Sequence, residues 1–202
     1  LSPPLNKTTF QRFILMLSKL SGTIVNKSDL ARTLEVNEKS AREYIHIAEG
    51  TFVWRSIPSF EKNIVKAVIK MPKGYIRDSG LLHHKLNINS LIELYSNPLV
   101  GASFESFIIE EIIKGLNSTS ITNWSPYYYR TRNRAEIDLI LDGPFGICPI
   151  EVKYGSHTPL KQLITLNKFV EEHKLPFGIL INQSDRLEWL TPNIIQIPAT
   201  YI

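Results

Sequence analysis

The stretch Arg134–Lys153 (R-A-E-I-D-L-I-L-D-G-P-F-G-I-C-P-I-E-V-K) constrains this chain more than any other. Two runs of alternating apolar residues flank D-G-P-F-G, a pattern that predicts a β-hairpin with a loop of about five residues. Side chains alternate across a strand. Ile137, Leu139 and Leu141 are therefore expected on one face of the first strand, with Glu136, Asp138 and Ile140 on the other. On the second strand, Glu151 and Lys153 point the same way, opposite to Ile150 and Val152. Two carboxylates and an ammonium on adjacent strands can thus converge on one small volume. Two readings fit: a surface ion pair on a solvated hairpin, or a site for a hard divalent cation with a lysine beside it to orient water.

The rest of the chain supplies the context. Its 202 residues suit one large domain or two small ones. No apolar run reaches the length of a membrane span. A single cysteine, Cys148, excludes an internal disulfide framework, fits a reducing and hence cytoplasmic compartment, and reads as a buried strand residue. The opening Leu-Ser-Pro-Pro, without Met, reads as the start of a fragment of a longer protein. Charge is uneven: residues 1–100 hold 14 Lys/Arg against 8 Asp/Glu, whereas residues 101–202 hold 9 against 11. A basic first half favours a polyanionic partner such as DNA, and an acidic second half suits a metal site.

In the first half, F-Q-R-F-I-L-M-L-S-K-L predicts an apolar helix stopped by Ser21-Gly22. Asn26 reads as an N-cap with Asp29 three residues on, and Asn37 as a second cap opening a third helix. Three helices with a short turn before the third describe a helix-turn-helix, whose third helix presents Lys39, Ser40, Arg42 and Glu43. Alternating residues in Phe52–Ile57 and Ile64–Lys70 can form a β-wing, closed by Met71-Pro72-Lys73. DNA contact and protein docking both fit such a module. Tyr75–Leu81 reads as a short strand entering a turn, and residues 81–97 as a helical junction. The histidines lack the Cys/His spacing of a zinc site.

In the second half, Gly101 opens a helix with an apolar stripe of Phe104, Phe107, Ile108, Ile112 and Leu116, and Glu105 lies just off it. Tyr127–Thr131 reads as a strand leading through Arg132-Asn133-Arg134 into the hairpin. After Lys153 come a polar loop, a helix with Leu163, Leu166 and Val170 facing a sheet, a strand over 176–182, and a last strand over 194–197. Helix, three strands, helix, strand is an α/β layer order.

Glu105 on a helix, then Asp138, then Glu151-Val152-Lys153 resembles the PD-(D/E)XK nuclease superfamily, whose core has this element order. The likeness is closer to one group within it, a domain of unknown function found C-terminal to AAA-type ATPases, in which a winged helix precedes the nuclease-like fold. It runs nearly end to end, through L-S-K-L-S-G-T-I-V-N-K-S-D-L-A-R-T-L-E-V, M-P-K-G-Y-I-R-D-S-G-L-L, G-A-S-F-E-S-F-I-I-E-E, Y-Y-Y-R-T-R-N-R-A-E-I-D-L-I-L and P-I-E-V-K.

The resemblance implies an α+β/α/β chain. Residues 1–80 would be a winged helix-turn-helix, 81–100 a helical junction, and 101–202 a restriction-endonuclease-like α/β core with a mixed sheet. It implies that Asp138, Glu151 and Glu105 hold Mg²⁺ or Mn²⁺ and that Lys153 is the catalytic lysine. Lys39, Arg42, Arg130, Arg132 and Arg134 would face DNA phosphates, and Gln162 occupies a region where some members carry a site glutamine. The resemblance also implies an upstream ATPase as partner; no G-x-x-x-x-G-K-[ST] phosphate loop occurs in this chain, so ATP binding is not expected of the chain itself. Two functional classes follow: a metal-dependent nuclease, or an inactive nuclease-fold module that binds nucleic acid or protein. Pro149 departs from the pattern, since it lacks an N–H in a strand expected to be central.

Overall fold

The computed structural model describes residues 6–61, 71–131 and 133–202. It is a mixed α/β structure with seven α-helices among the described residues, a three-stranded sheet and a six-stranded mixed sheet. The chain divides into two units: Leu1–Ile57 with Met71–Ser106, and Pro58–Lys70 with Phe107–Ile202. None of the described helices is long and apolar enough to cross a membrane.

In the first unit, helices α1 (Lys7–Leu20), α2 (Lys27–Thr33) and α3 (Glu38–Gly50) begin where side-chain oxygens satisfy backbone N–H groups left open at a helix start. Asn26 Oδ1 accepts from the N–H groups of Ser28 and Asp29, and Asn37 Oδ1 from that of Ser40. Asn6 caps α1 in the same way through Thr9. Phe13, Leu17, Leu30, Leu34, Tyr44 and Ile45 meet in one core with Trp54 and Ile76.

The sheet of this unit joins β1 (Thr23–Ile24), β2 (Trp54–Ile57) and β3 (Lys73–Ile76) in the order β1-β3-β2, all antiparallel. The partner of the strand after α3 is thus Lys73–Ile76, and the expected wing segment Ile64–Lys70 lies outside the described residues. Strand character ends at Ile76, and Ser79 already lies in helix α4 (Ser79–Lys85). Asp78 caps that helix by accepting from the Leu81 N–H. The expected junction is therefore two short helices, α4 and α5 (Leu91–Ser96). Gly74 lies flat against Trp54: a Cβ there would stand 1.9 Å from the indole Cζ2.

Helix α6 (Val100–Asn117) crosses the division between the units. Its buried positions are Ser103, Ser106, Ile108, Ile109, Glu110 and Ile113, while Phe107 is exposed. The expected apolar stripe is therefore rotated. Serine and glutamate occupy part of the buried ridge, so hydrophobicity alone misplaces it.

The second unit orders its strands β4-β5-β6-β7-β9-β8, where β4 is Ser125–Arg130, β5 Glu136–Gly143, β6 Gly146–Val152, β7 Gly178–Asn182, β8 Glu188–Thr191 and β9 Ile194–Pro198. Strands β4, β5 and β6 run as an antiparallel meander, and β6, β7 and β9 are parallel. Strand β8 returns antiparallel on the far edge and was not anticipated from the sequence. Parallel pairing of β6 with β7 begins at Ile150, one residue after Pro149, which is how the strand accommodates proline's missing N–H. Helix α7 (Ile164–Glu172) follows a 3₁₀ turn over Leu160–Leu163. It packs Leu166 and Phe169 with Leu180 and Ile194 of the sheet. Cys148 on β6 is half-buried, and that burial pushes its thiol up to about 11.

Strict alternation fails in one place on β5. Tyr127 pairs with Ile140 but Tyr129 with Ile137, so two steps on β4 match three on β5. This bulge over Asp138–Leu139 puts Ile137 and Ile140 in the same core cluster, although alternation assigns them to opposite faces. The expected grouping of Ile137 with Leu139 and Leu141 is corrected accordingly.

Candidate functional site

Asp138, Glu151 and Lys153 come together at the bulged end of β5 and the carboxyl end of β6. Regular β5–β6 pairing reaches Leu139↔Ile150. Beyond it, Asp138 Oδ2 accepts a 3.0 Å hydrogen bond from the Val152 backbone N–H. A carboxylate accepting from a backbone N–H is held more firmly than a neutral acceptor would be. Glu151 and Lys153, two apart on one strand, project together as alternation requires. The Lys153 ammonium donates to Glu151 Oε1 and lies 4.0 Å from Asp138 Oδ2. Both acid side chains are 8% exposed and the lysine is 32% exposed. The Lys153 backbone N–H donates to Ile181 O on β7, which fixes the strand end.

The donor set fits a hard divalent cation. Two buried carboxylates supply oxygen ligands alone, and the Lys153 ammonium already occupies the place of positive charge between them. Among the described residues, no group of three or more His, Cys, Asp or Glu side chains is gathered into a metal-binding cluster.

Glu105, the expected third acid, lies in the first unit and has local partners there. Its Oε1 is 2.7 Å from Lys73 Nζ and accepts from Tyr75 Oη at 2.7 Å. Lys73 is buried, with a side chain 4% exposed, so this is a buried ion pair that ties α6 to β3.

The expected nucleic-acid contacts are distributed as follows. Lys39 and Arg42 are exposed on α3, and Arg42 pairs with Glu38 at 3.4 Å. Ser40, expected on the presented face, is buried. Arg130 pairs with Glu136 at 3.0 Å across β4 and β5. Arg134 is exposed at a positive φ of 63° in the turn before β5, and Arg132 lies outside the described residues. Gln162 is exposed.

Two features escaped sequence reasoning. Glu110, the first of the two acids in the I-I-E-E run, is buried on α6 in the second unit, and its helical spacing from Ser103, Ser106 and Ile113 was the available signal. Asn182 and Gln196 are buried polar residues on β7 and β9, hydrogen-bonded to each other at 2.9 Å. Polar residues in otherwise apolar strand runs were the available signal.

The chain matches two family models: a domain of unknown function, DUF4143, over residues 100–202, and another, DUF8612, over residues 1–91. It is 32% identical over 197 residues to "Uncharacterized protein Mb2031c" of Mycobacterium bovis and, at the same identity, to "Uncharacterized protein Rv2008c" of Mycobacterium tuberculosis. These alignments cover 96% of this chain, which spans 42% of the length of each relative. With just over half of its length matched by the first of these models, the chain belongs to the DUF4143 family.

Proposed function

We propose that the second unit is a PD-(D/E)XK nuclease-like centre that acts on DNA phosphodiesters with Mg²⁺ or Mn²⁺, and that the first unit is a winged helix-turn-helix that binds the DNA. The convergence of Asp138, Glu151 and Lys153 carries the reading. The order of α6, β4, β5, β6, α7 and β7 supports it, being the helix-strand-strand-strand-helix-strand order of that fold. For the first unit, support comes from three capped helices, a two-residue strand between α1 and α2, and the order β1-β3-β2.

Asp138 and Glu151 would hold the cation, which when bound supplies Lewis-acid polarisation of a phosphoryl oxygen. The Val152 N–H keeps the Asp138 carboxylate turned to its site. Lys153, released from Glu151, would donate to a water or a phosphate oxygen and offset the negative charge that develops there. Exposed Lys39 and Arg42 on α3 would take backbone phosphates. An upstream ATPase domain would be the partner.

The direct test is incubation with supercoiled, linear and branched DNA in Mg²⁺ or Mn²⁺. Cutting is expected, and it should vanish in Asp138→Ala and Lys153→Ala. Cutting that survives both substitutions would come from a contaminant and would sink the assignment. A second reading is an inactive module of the same fold that binds nucleic acid or protein. The engagement of Glu105 with Lys73 and Tyr75 favours it, because that acid already has a structural task. Salt-sensitive DNA binding without cutting, and without Mn²⁺ binding that depends on Asp138 and Glu151, would decide for this reading.

A further inference from the structure

A cleft of about 580 Å³ opens in the second unit between the loop after β6 and the loop after β7. These loops leave the carboxyl ends of two parallel neighbours, where ligands of α/β sheets characteristically bind. The volume falls within the range of about 300–1,000 Å³ typical of small-ligand pockets. It admits one nucleotide unit and is too small for a duplex.

The floor of the cleft is built from buried amides. Gln196 on β9 donates through Nε2 to Ser184 Oγ at 3.0 Å, to the Arg186 carbonyl at 3.1 Å and to Glu188 Oε1 at 3.3 Å. Its Oε1 accepts from Asn182 Nδ2, and Asn182 Oδ1 accepts from the Ser184 N–H at 3.0 Å. Gln196 lies in register with Leu180, in a sheet position where an apolar residue would pack without needing partners. What the amide adds is a fixed shape for residues 184–188. The Gln183 N–H, donating to Gly155 O at 2.9 Å, ties that loop to the one after β6.

The pinned loop presents Arg186, whose side chain is 76% exposed and whose nearest acid is Asp185, at 4.0 Å and almost fully in solvent. His157 lies on the opposing loop, and Glu188 is engaged by Gln196. A guanidinium on a rigid loop, beside a serine hydroxyl and an imidazole, is phosphate-recognition chemistry.

We propose that this cleft holds a single nucleotide unit of the nucleic-acid strand, with Arg186 on its phosphate. The proposal rests on the reading of the second unit as acting on nucleic acid. It adds a positioning subsite at the carboxyl end of β6, the strand end that carries Glu151 and Lys153, on the loop that follows Lys153.

The test is fluorescence anisotropy with a labelled single-stranded oligonucleotide in chelator, so that no cutting intervenes. Arg186→Ala, at an exposed position, should weaken binding roughly tenfold and lower the slope of log affinity against log salt by about one. Gln196→Leu should weaken it similarly while thermal unfolding stays cooperative. Wild-type binding that neither substitution changes would overturn the subsite. The nuclease reading would survive that result, since it is judged by metal-dependent cutting and its dependence on Asp138. Competition by a mononucleotide or inorganic phosphate as strong as by the oligonucleotide would overturn the assignment to a strand unit. No oligonucleotide binding at low salt would overturn the subsite, whatever the cutting assay returns.

Discussion

Replacing Lys153 by methionine isolates the electrostatics of the candidate centre. In the native chain one ammonium touches Glu151 Oε1 and stands 4.0 Å from Asp138 Oδ2, and both carboxylates are largely buried. A unit charge pair at about 4 Å is worth roughly 4 kcal/mol at an effective dielectric of about 20. Since the lysine is 32% exposed, solvent screening lowers the net loss on Lys153→Met to about 2 kcal/mol. For a chain of this size that corresponds to a fall of roughly 4–8 °C in the unfolding midpoint. The two acids are then left facing each other, and a divalent cation becomes their best partner. Mn²⁺ at about 100 times its dissociation constant would add about 2.7 kcal/mol. The assay is differential scanning fluorimetry with and without Mn²⁺. The variant should melt lower than the native chain in chelator and gain more from Mn²⁺ than the native chain does. An unchanged midpoint in chelator, or equal Mn²⁺ gains for both proteins, would refute the idea that these three groups form one electrostatic site.

Three further outcomes are expected. Glu105→Gln leaves the buried Lys73 ammonium without its carboxylate and should cost about 3 kcal/mol, whereas Lys73→Met with Glu105→Leu together should cost less; chemical denaturation of the two variants beside the native chain checks this. Gly74→Ala drives a methyl into the buried Trp54 ring and should destabilise by about 3 kcal/mol or more, read from the same curves and from a shift in tryptophan emission. His83, which shares a 2.7 Å hydrogen bond with Ser103 Oγ, is held below its usual 6.5 by burial, against the opposing pull of Asp78. The unfolded chain therefore binds the extra proton first, so its contribution is present above about pH 6.5 and is lost as the pH falls through the lower folded value. Melting midpoints at pH 7.5 and 5.5 should differ less in His83→Asn than in the native chain.

Features of this protein that depend on neighbours in the chain were legible from the sequence by itself. Asn26 and Asn37 cap the helices they were expected to cap, because a cap needs only a side chain and the N–H groups two or three residues on. Glu151 and Lys153 face the same way because they are two apart on one strand, and the β5–β6 hairpin brings Asp138 beside them, although its turn is the two residues Pro144-Phe145 and not the expected loop of about five. The order α6, β4, β5, β6, α7, β7, β9 in the second half follows from the same short-range periodicities, and only the edge strand β8 does not.

Tertiary structure decided whatever depends on register or on distant partners. The bulge at Asp138–Leu139 exists only against β4, and it overrides the alternation that had separated Ile137 from Ile140. Glu105 is committed to Lys73 and Tyr75, some thirty residues away, an engagement invisible to any window around the helix. The buried ridge of α6 runs through Ser103, Ser106 and Glu110 rather than Phe107, because the surroundings of a helix, and not its most apolar side chains, set which face is covered. Likewise Gln196 reads in sequence as a polar break in an apolar strand, and only the fold shows it pinning the loop that carries Arg186. Local pattern records what a residue can do with its neighbours. Packing across the sheet determines which of those options it takes.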